Sequence, residues 1–165
     1  MLKRGAYWIC LGLWFSPALL FAQAVRPACT LLAALDLKPL LGPDQGAPAP
    51  YADEACIVKS KTPGRLVMLT LVEKPPAELK SNMAAFRKTM QTAEYAKSVA
   101  VAAVPELGPD AFAVREKGEQ SAAEIHALKG AREIQITLNW SDGKITEPLF
   151  KQLRELAAAA LSRLP

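Results

Sequence analysis

A chain of 165 residues, 51% of them apolar, is long enough for one domain with a substantial core and too short for two of ordinary size. Its formal charge is +4, but Lys3 and Arg4 belong to a leader that is expected to be removed, which leaves 18 basic against 16 acidic residues and a net charge of +2. So small an excess, with no clustered basic face, gives no ground for nucleic acid or an acidic membrane as a partner.

The first segment has the pattern of an export signal. Met1-Leu2-Lys3-Arg4 is a short positive stretch, residues 6–20 are almost wholly apolar, and Ala22 and Ala24 supply the small residues that signal peptidase reads. Cleavage is expected after Ala24, giving a signal peptide at 1–24 and one domain at 25–165. The competing reading, an uncleaved anchor, is disfavoured because Pro17 interrupts an apolar run already short for a span of about 20 residues. Position 25 is Val25 rather than cysteine, so lipid attachment next to the cleavage site is not expected. No stable membrane insertion is expected after cleavage.

Cys10 leaves with the leader, and Cys29 and Cys56 remain. An even pair in an exported chain predicts one disulfide, closing a loop of 28 residues counting both ends. Two buried free thiols are the competing reading. A redox pair is disfavoured because the spacing is unlike Cys-x-x-Cys.

From the cleavage point onward, Leu31, Leu32, Leu35, Leu40 and Leu41 recur at helical spacing, and Pro39 divides them into short helices at 28–34 and 37–41, the second capped by Asp36. Residues 42–50 are rich in proline and poor in bulk, which predicts a surface loop. Strands follow near 56–58 and at 66–72, joined by a Thr62-Pro63-Gly64 turn, and the continuous apolar run of the second predicts a central strand buried on both faces. Pro75 and Pro76 open a helix over 76–94 with Leu79, Met83, Phe86 and Met90 on one side. Val99, Val101 and Ala103 alternate as a strand would, although the alanines suit a helix equally well.

Glycine turns at Gly118, Gly130 and Gly143 then set the rhythm of an antiparallel meander. Its apolar parity is read as Phe112 and Val114, Ile125 and Ala127, and Ile134, Ile136, Leu138 and Trp140, all on one core face. A final helix begins at a Thr146 cap, with Ile145 and Phe150 as a hydrophobic staple, and buries Leu149, Leu153, Leu156, Ala160 and Leu164. The fold class is therefore α+β: a mainly antiparallel sheet, made of a hairpin and a C-terminal meander, packed with N-terminal, middle and C-terminal helices.

The inventory of reactive groups is sparse. His126 is the single histidine, and no nucleophile or orienting carboxylate is evident beside it in the sequence, so no catalytic residue is assigned. Two cysteines already paired with each other leave nothing for a zinc site, and the scattered acids do not form a calcium loop. No metal or cofactor is expected. Asn139-Trp140-Ser141 matches a glycosylation sequon, which is read as coincidence because Trp140 faces inward. The candidate binding surface is the polar parity of the meander, where Arg115, His126, Gln135 and Thr137 would converge on an open sheet face. A merely solvated face is the competing reading.

Pro27-Ala28-Cys29-Thr30-Leu31-Leu32, then Leu40-Leu41-Gly42, Cys56 and Leu107-Gly108-Pro109-Asp110-Ala111 follow in an order that resembles a family of small bacterial envelope proteins. Its best-known members are actinobacterial cell-wall lipoproteins of unknown function with a fold similar to the photosystem accessory protein PsbP. The resemblance implies an α/β/α sandwich, a bridge from the first helix to the first strand, and a binding or accessory role without catalysis. The chain departs from that family in lacking the lipid-attachment cysteine. The function expected is that of an exported, non-enzymatic module, periplasmic or secreted, that binds an envelope protein or a small ligand. A hydrolase whose site forms only in three dimensions, or a purely structural envelope protein, are the alternatives.

Overall fold

The computed structural model describes residues 27–61, 64–141 and 143–165; the expected leader, with Ala22 and Ala24, lies outside the described residues. In chain order the elements are α1 (Pro27–Ala33), α2 (Lys38–Leu41), β1 (Ala49–Ala52), β2 (Ala55–Lys59), β3 (Arg65–Glu73), α3 (Pro76–Met90), β4 (Val99–Ala103), β5 (Phe112–Glu116), β6 (Ala122–Lys129), β7 (Arg132–Trp140) and α4 (Glu147–Arg163). The strands form one antiparallel sheet in the order β1-β2-β3-β7-β6-β5-β4. Helices cover both sides of it: α1, α2 and α4 pack on one face, and α3 crosses β4, β6 and β7 on the other.

Local chemistry explains most of these elements. Helix α2 starts at Lys38 rather than 37, with Leu37 at the cap position; the expected cap, Asp36, stands one residue ahead of it and its carboxylate accepts the Lys38 backbone N–H at 3.1 Å. Gly130, at a φ of +60°, takes the first central position of the two-residue turn that pairs Lys129 with Arg132, a geometry that glycine adopts without steric cost. That turn fixes the β6–β7 register. At the start of α4, Thr146 occupies the cap position without a side-chain bond, while Ile145 and Phe150 are both buried in the core. The staple, rather than the hydroxyl, sets the entry of that helix.

The main core lies between α1, α2, α4 and the sheet face carrying Val67, Leu69, Ile125, Ile134, Ile136 and Leu138. A smaller cluster of Met83, Phe112 and Val114, joined by Phe86, Met90 and Leu128, packs under α3 on the other side. Cys29 and Cys56 are joined in a disulfide that ties α1 to β2, with Cα atoms 5.0 Å apart.

Several expectations are corrected. Phe112 and Val114 lie on the α3 face, because Phe112 pairs with His126 and Val114 with Glu124; Ala113, opposite Ile125, takes the main-core side. Alternation fixes the relative sides of residues within a strand, but the turn decides how strands align. Here it is an odd-length loop with Gln120 at a φ of +56°, clamped by the Ser121 N–H and hydroxyl donating to the Glu116 carboxylate at 2.9 and 2.6 Å.

Residues 42–50 do not end as loop: Ala49–Ala52 form β1, and Pro50 is tolerated there because β1 is an edge strand. Helix α3 stops at Met90 instead of 94, where its apolar stripe ends and Thr92 turns back to the Thr89 carbonyl. Strand β3 is central, yet only Val67 and Leu69 are buried; Leu66, Met68, Thr70 and Val72 face the side that α3 leaves open.

Candidate functional site

Of the four residues expected to share a sheet face, three do. His126 pairs with Gln135 across β6 and β7, and Thr137 with Glu124, so all project toward α3. Arg115 does not join them. It pairs with Ala123 and so belongs to the opposite face, where its guanidinium lies 4.4 Å over the Phe150 ring and contacts the Glu147 carboxylate of α4. The cause is the same register that places Phe112 beneath α3.

His126 is 4% exposed, enclosed by α3 rather than open to solvent. Its ring stacks on Phe112 at 4.6 Å between centroids and meets Phe86 of α3 at 4.8 Å. Each ring nitrogen meets a carboxylate: Nε2 contacts Glu124, and Nδ1 lies 3.0 Å from Glu133. Gln135 also donates to Glu124 from its side-chain amide. Both carboxylates escaped notice in the sequence. Glu124 could have been found, since it is two residues before His126 on the same strand and therefore on the same face. Glu133 needed the hairpin register, which the Gly130 turn implies.

Burial alone would push the His126 pKa down. Hydrogen bonds to the Glu124 and Glu133 carboxylates, reinforced by their charges, outweigh burial and raise it above its ordinary value. A protonated imidazole donates from both nitrogens, which is what two flanking carboxylates require. With both nitrogens engaged, one face stacked on Phe112 and Phe86 tilted against its side, the ring has no lone pair turned toward a substrate. The cluster is a buried imidazole held between two carboxylates, and it links β6, β7 and α3. At its margin, the Thr137 hydroxyl is buried with no hydrogen-bond partner among the described residues.

A separate concavity lies elsewhere. A cleft of about 600 Å³ opens where α1, the end of β3, the start of β7 and the last turn of α4 meet. Leu31, Leu71 and Leu164 form its apolar floor. Its charged lining residues are Glu73 and Arg132, 3.4 Å apart, and Arg163. No sequence pattern signalled this cleft, because its walls come from four elements spread between Pro27 and Pro165.

No family model, curated protein or solved structure matches the chain.

The site must therefore be read from its own chemistry. Among the described residues, no group of three or more His, Cys, Asp or Glu side chains is arranged to hold a metal ion, and no helix is long and apolar enough to cross a membrane. What the cleft offers is an apolar surface with a few charged residues in its lining, suited to enclosing a small ligand.

Proposed function

We propose that this chain is an exported, non-catalytic binding module of the bacterial envelope, periplasmic or secreted, which takes a small, largely apolar ligand into the cleft between α1 and α4. The observation that carries this reading is the cleft itself: its volume lies within the range of about 300–1,000 Å³ usual for ligand pockets, and its floor is apolar. At roughly 30 Å³ per water, the space corresponds to about 20 waters, and hence to a ligand of comparable heavy-atom number. A disulfide is the expected companion of an oxidising compartment, and the leader pattern of residues 1–24 supports export. The resemblance to the actinobacterial envelope family points to the same kind of role.

The test has two parts. Intact mass of protein from the periplasmic fraction should begin at Val25 and be two hydrogens light; full-length protein retained in the membrane would refute the export reading. The same protein should then bind cis-parinaric acid saturably near one equivalent, followed by the probe's fluorescence. Ala34→Trp, which fills the cleft from an exposed position just after α1, should abolish that binding. Binding that is absent, or that survives Ala34→Trp, refutes the cleft as the site, and turnover of a substrate abolished by a surface substitution would refute the non-catalytic assignment.

A further inference from the structure

The two edges of the sheet are not equivalent. Strand β1 carries Pro50, breaks register between Pro50 and Ala52, and is exposed throughout, all of which blunt an edge against further pairing. Strand β4 has none of these devices. Its sequence, Val99-Ala100-Val101-Ala102-Ala103, contains no proline and no charge, and its pairing with β5 is continuous from Val99 to Ala103.

The outward backbone groups of β4 can be assigned. Val104 N–H donates to the Ala111 carbonyl and Lys117 N–H to the Ser98 carbonyl, which fixes even-numbered residues as those bonded to β5. Val99, Val101 and Ala103 therefore turn their N–H and C=O groups away from the sheet. Ala100 and Ala102 are exposed on the face shared with α4, and Tyr95 stands 39% exposed just ahead of the strand.

We propose that β4 pairs with β4 of a second copy of this chain, antiparallel about Val101, joining two sheets into one. The strand is self-complementary in that arrangement. Val101 exchanges both backbone bonds with the partner's Val101, Val99 lies opposite the partner's Ala103, and Ala100 lies opposite the partner's Ala102. No like charges meet within the strand, which carries no charged residue. The blunted β1 edge prevents β1-to-β4 pairing from propagating, so the contact closes as a two-fold dimer instead of growing into a fibre. A strand of five residues buries less than the standard interface of about 1,600 Å², which sets the expected affinity at micromolar or weaker.

Sedimentation velocity over a concentration series of the mature protein should show a reversible monomer–dimer equilibrium. Ala100→Glu with Ala102→Glu places like charges opposite each other at exposed positions and should raise the dissociation constant at least tenfold, as should Ala100→Lys with Ala102→Lys. An equimolar mixture of the two variants should recover a heterodimer. Unchanged far-ultraviolet circular dichroism and thermal midpoint in both variants separate loss of pairing from loss of fold. A wild-type protein that stays monomeric to near-millimolar concentration overturns the proposal. So does dimerisation unaffected by either variant, or a mixture that fails to associate.

Discussion

Replacing His126 with leucine tests whether the clamped cation holds α3 to the sheet. The substitution keeps apolar bulk between Phe86 and Phe112 but leaves Glu124 and Glu133 without their shared cation, with side chains only 22% and 14% exposed. Removing one partner from a buried ion pair costs about 3–5 kcal/mol, and the residual access of water to both carboxylates favours the lower end. The lost ring stack contributes about 0.5–1.5 kcal/mol more. A total near 4 kcal/mol corresponds to a melting temperature lower by about 10 °C for a chain of this size. Urea denaturation is the assay, and the fluorescence of Trp140, the single tryptophan after residue 24, is the probe. The pH dependence supplies an independent check. Because the folded pKa of His126 is raised, its contribution is fully present below the unfolded value of about 6.5 and is lost as pH climbs through the folded value. Wild-type stability should therefore decline from pH 6 upward, and the leucine variant should show less of that decline. A cost below about 1 kcal/mol, or wild-type stability equal at pH 6 and pH 9, would refute the clamp.

Glu133→Gln, which removes one carboxylate charge while keeping its shape, should cost about 1–3 kcal/mol and steepen no pH dependence, as read by the same denaturation midpoint. Cys29→Ser with Cys56→Ser opens the loop that the disulfide closes and should destabilise by about 3–4 kcal/mol, measured by urea unfolding against the oxidised protein. A Cβ at Gly143 would overlap the Trp140 indole, so Gly143→Ala should cost about 1–3 kcal/mol and shift the tryptophan emission. Arg115→Ala breaks a contact whose carboxylate partner is largely exposed; it should cost about 1 kcal/mol or less in thermal unfolding and leave cleft binding unchanged.

The elements were legible wherever a short-range rule controls them. Ile134, Ile136 and Leu138 alternate without interruption and lie in the core as β7; the Asp36 carboxylate accepts the first N–H of α2, and Cys29 and Cys56 are joined. Legibility failed where the answer depended on how one strand aligns with the next. Arg115 and Phe112 were each assigned to the wrong face because the loop after Glu116 has an odd length, and nothing within β5 records that. The same gap hid Glu133 beside His126, although the Gly130 turn contained enough information to bring it near; Glu124, on the same strand as His126, needed no register at all. The apolar run of β3 suggested burial on both sides, whereas continuity of apolar residues does not say whether a helix arrives to cover them. The cleft lay furthest beyond reach, being a property of chain ends meeting rather than of any segment.

The β3–β7 ladder has a bearing on how the chain acquires its fold. It runs from Arg65 opposite Trp140 to Glu73 opposite Arg132, so even its nearest partners are 59 residues apart in the sequence. Closing so large a loop precedes any reward from the contacts it allows, and domains dominated by such pairings fold slowly. Strands β1 to β3 form one hairpin system and β4 to β7 another, and neither possesses a complete core without the ladder between them. A chain emerging from its N-terminus therefore holds β3 unpaired on its β7 side until residues 132–140 follow. The sheet can therefore be completed only when nearly the whole chain is present, so a truncation before residue 132 would leave β3 as an edge.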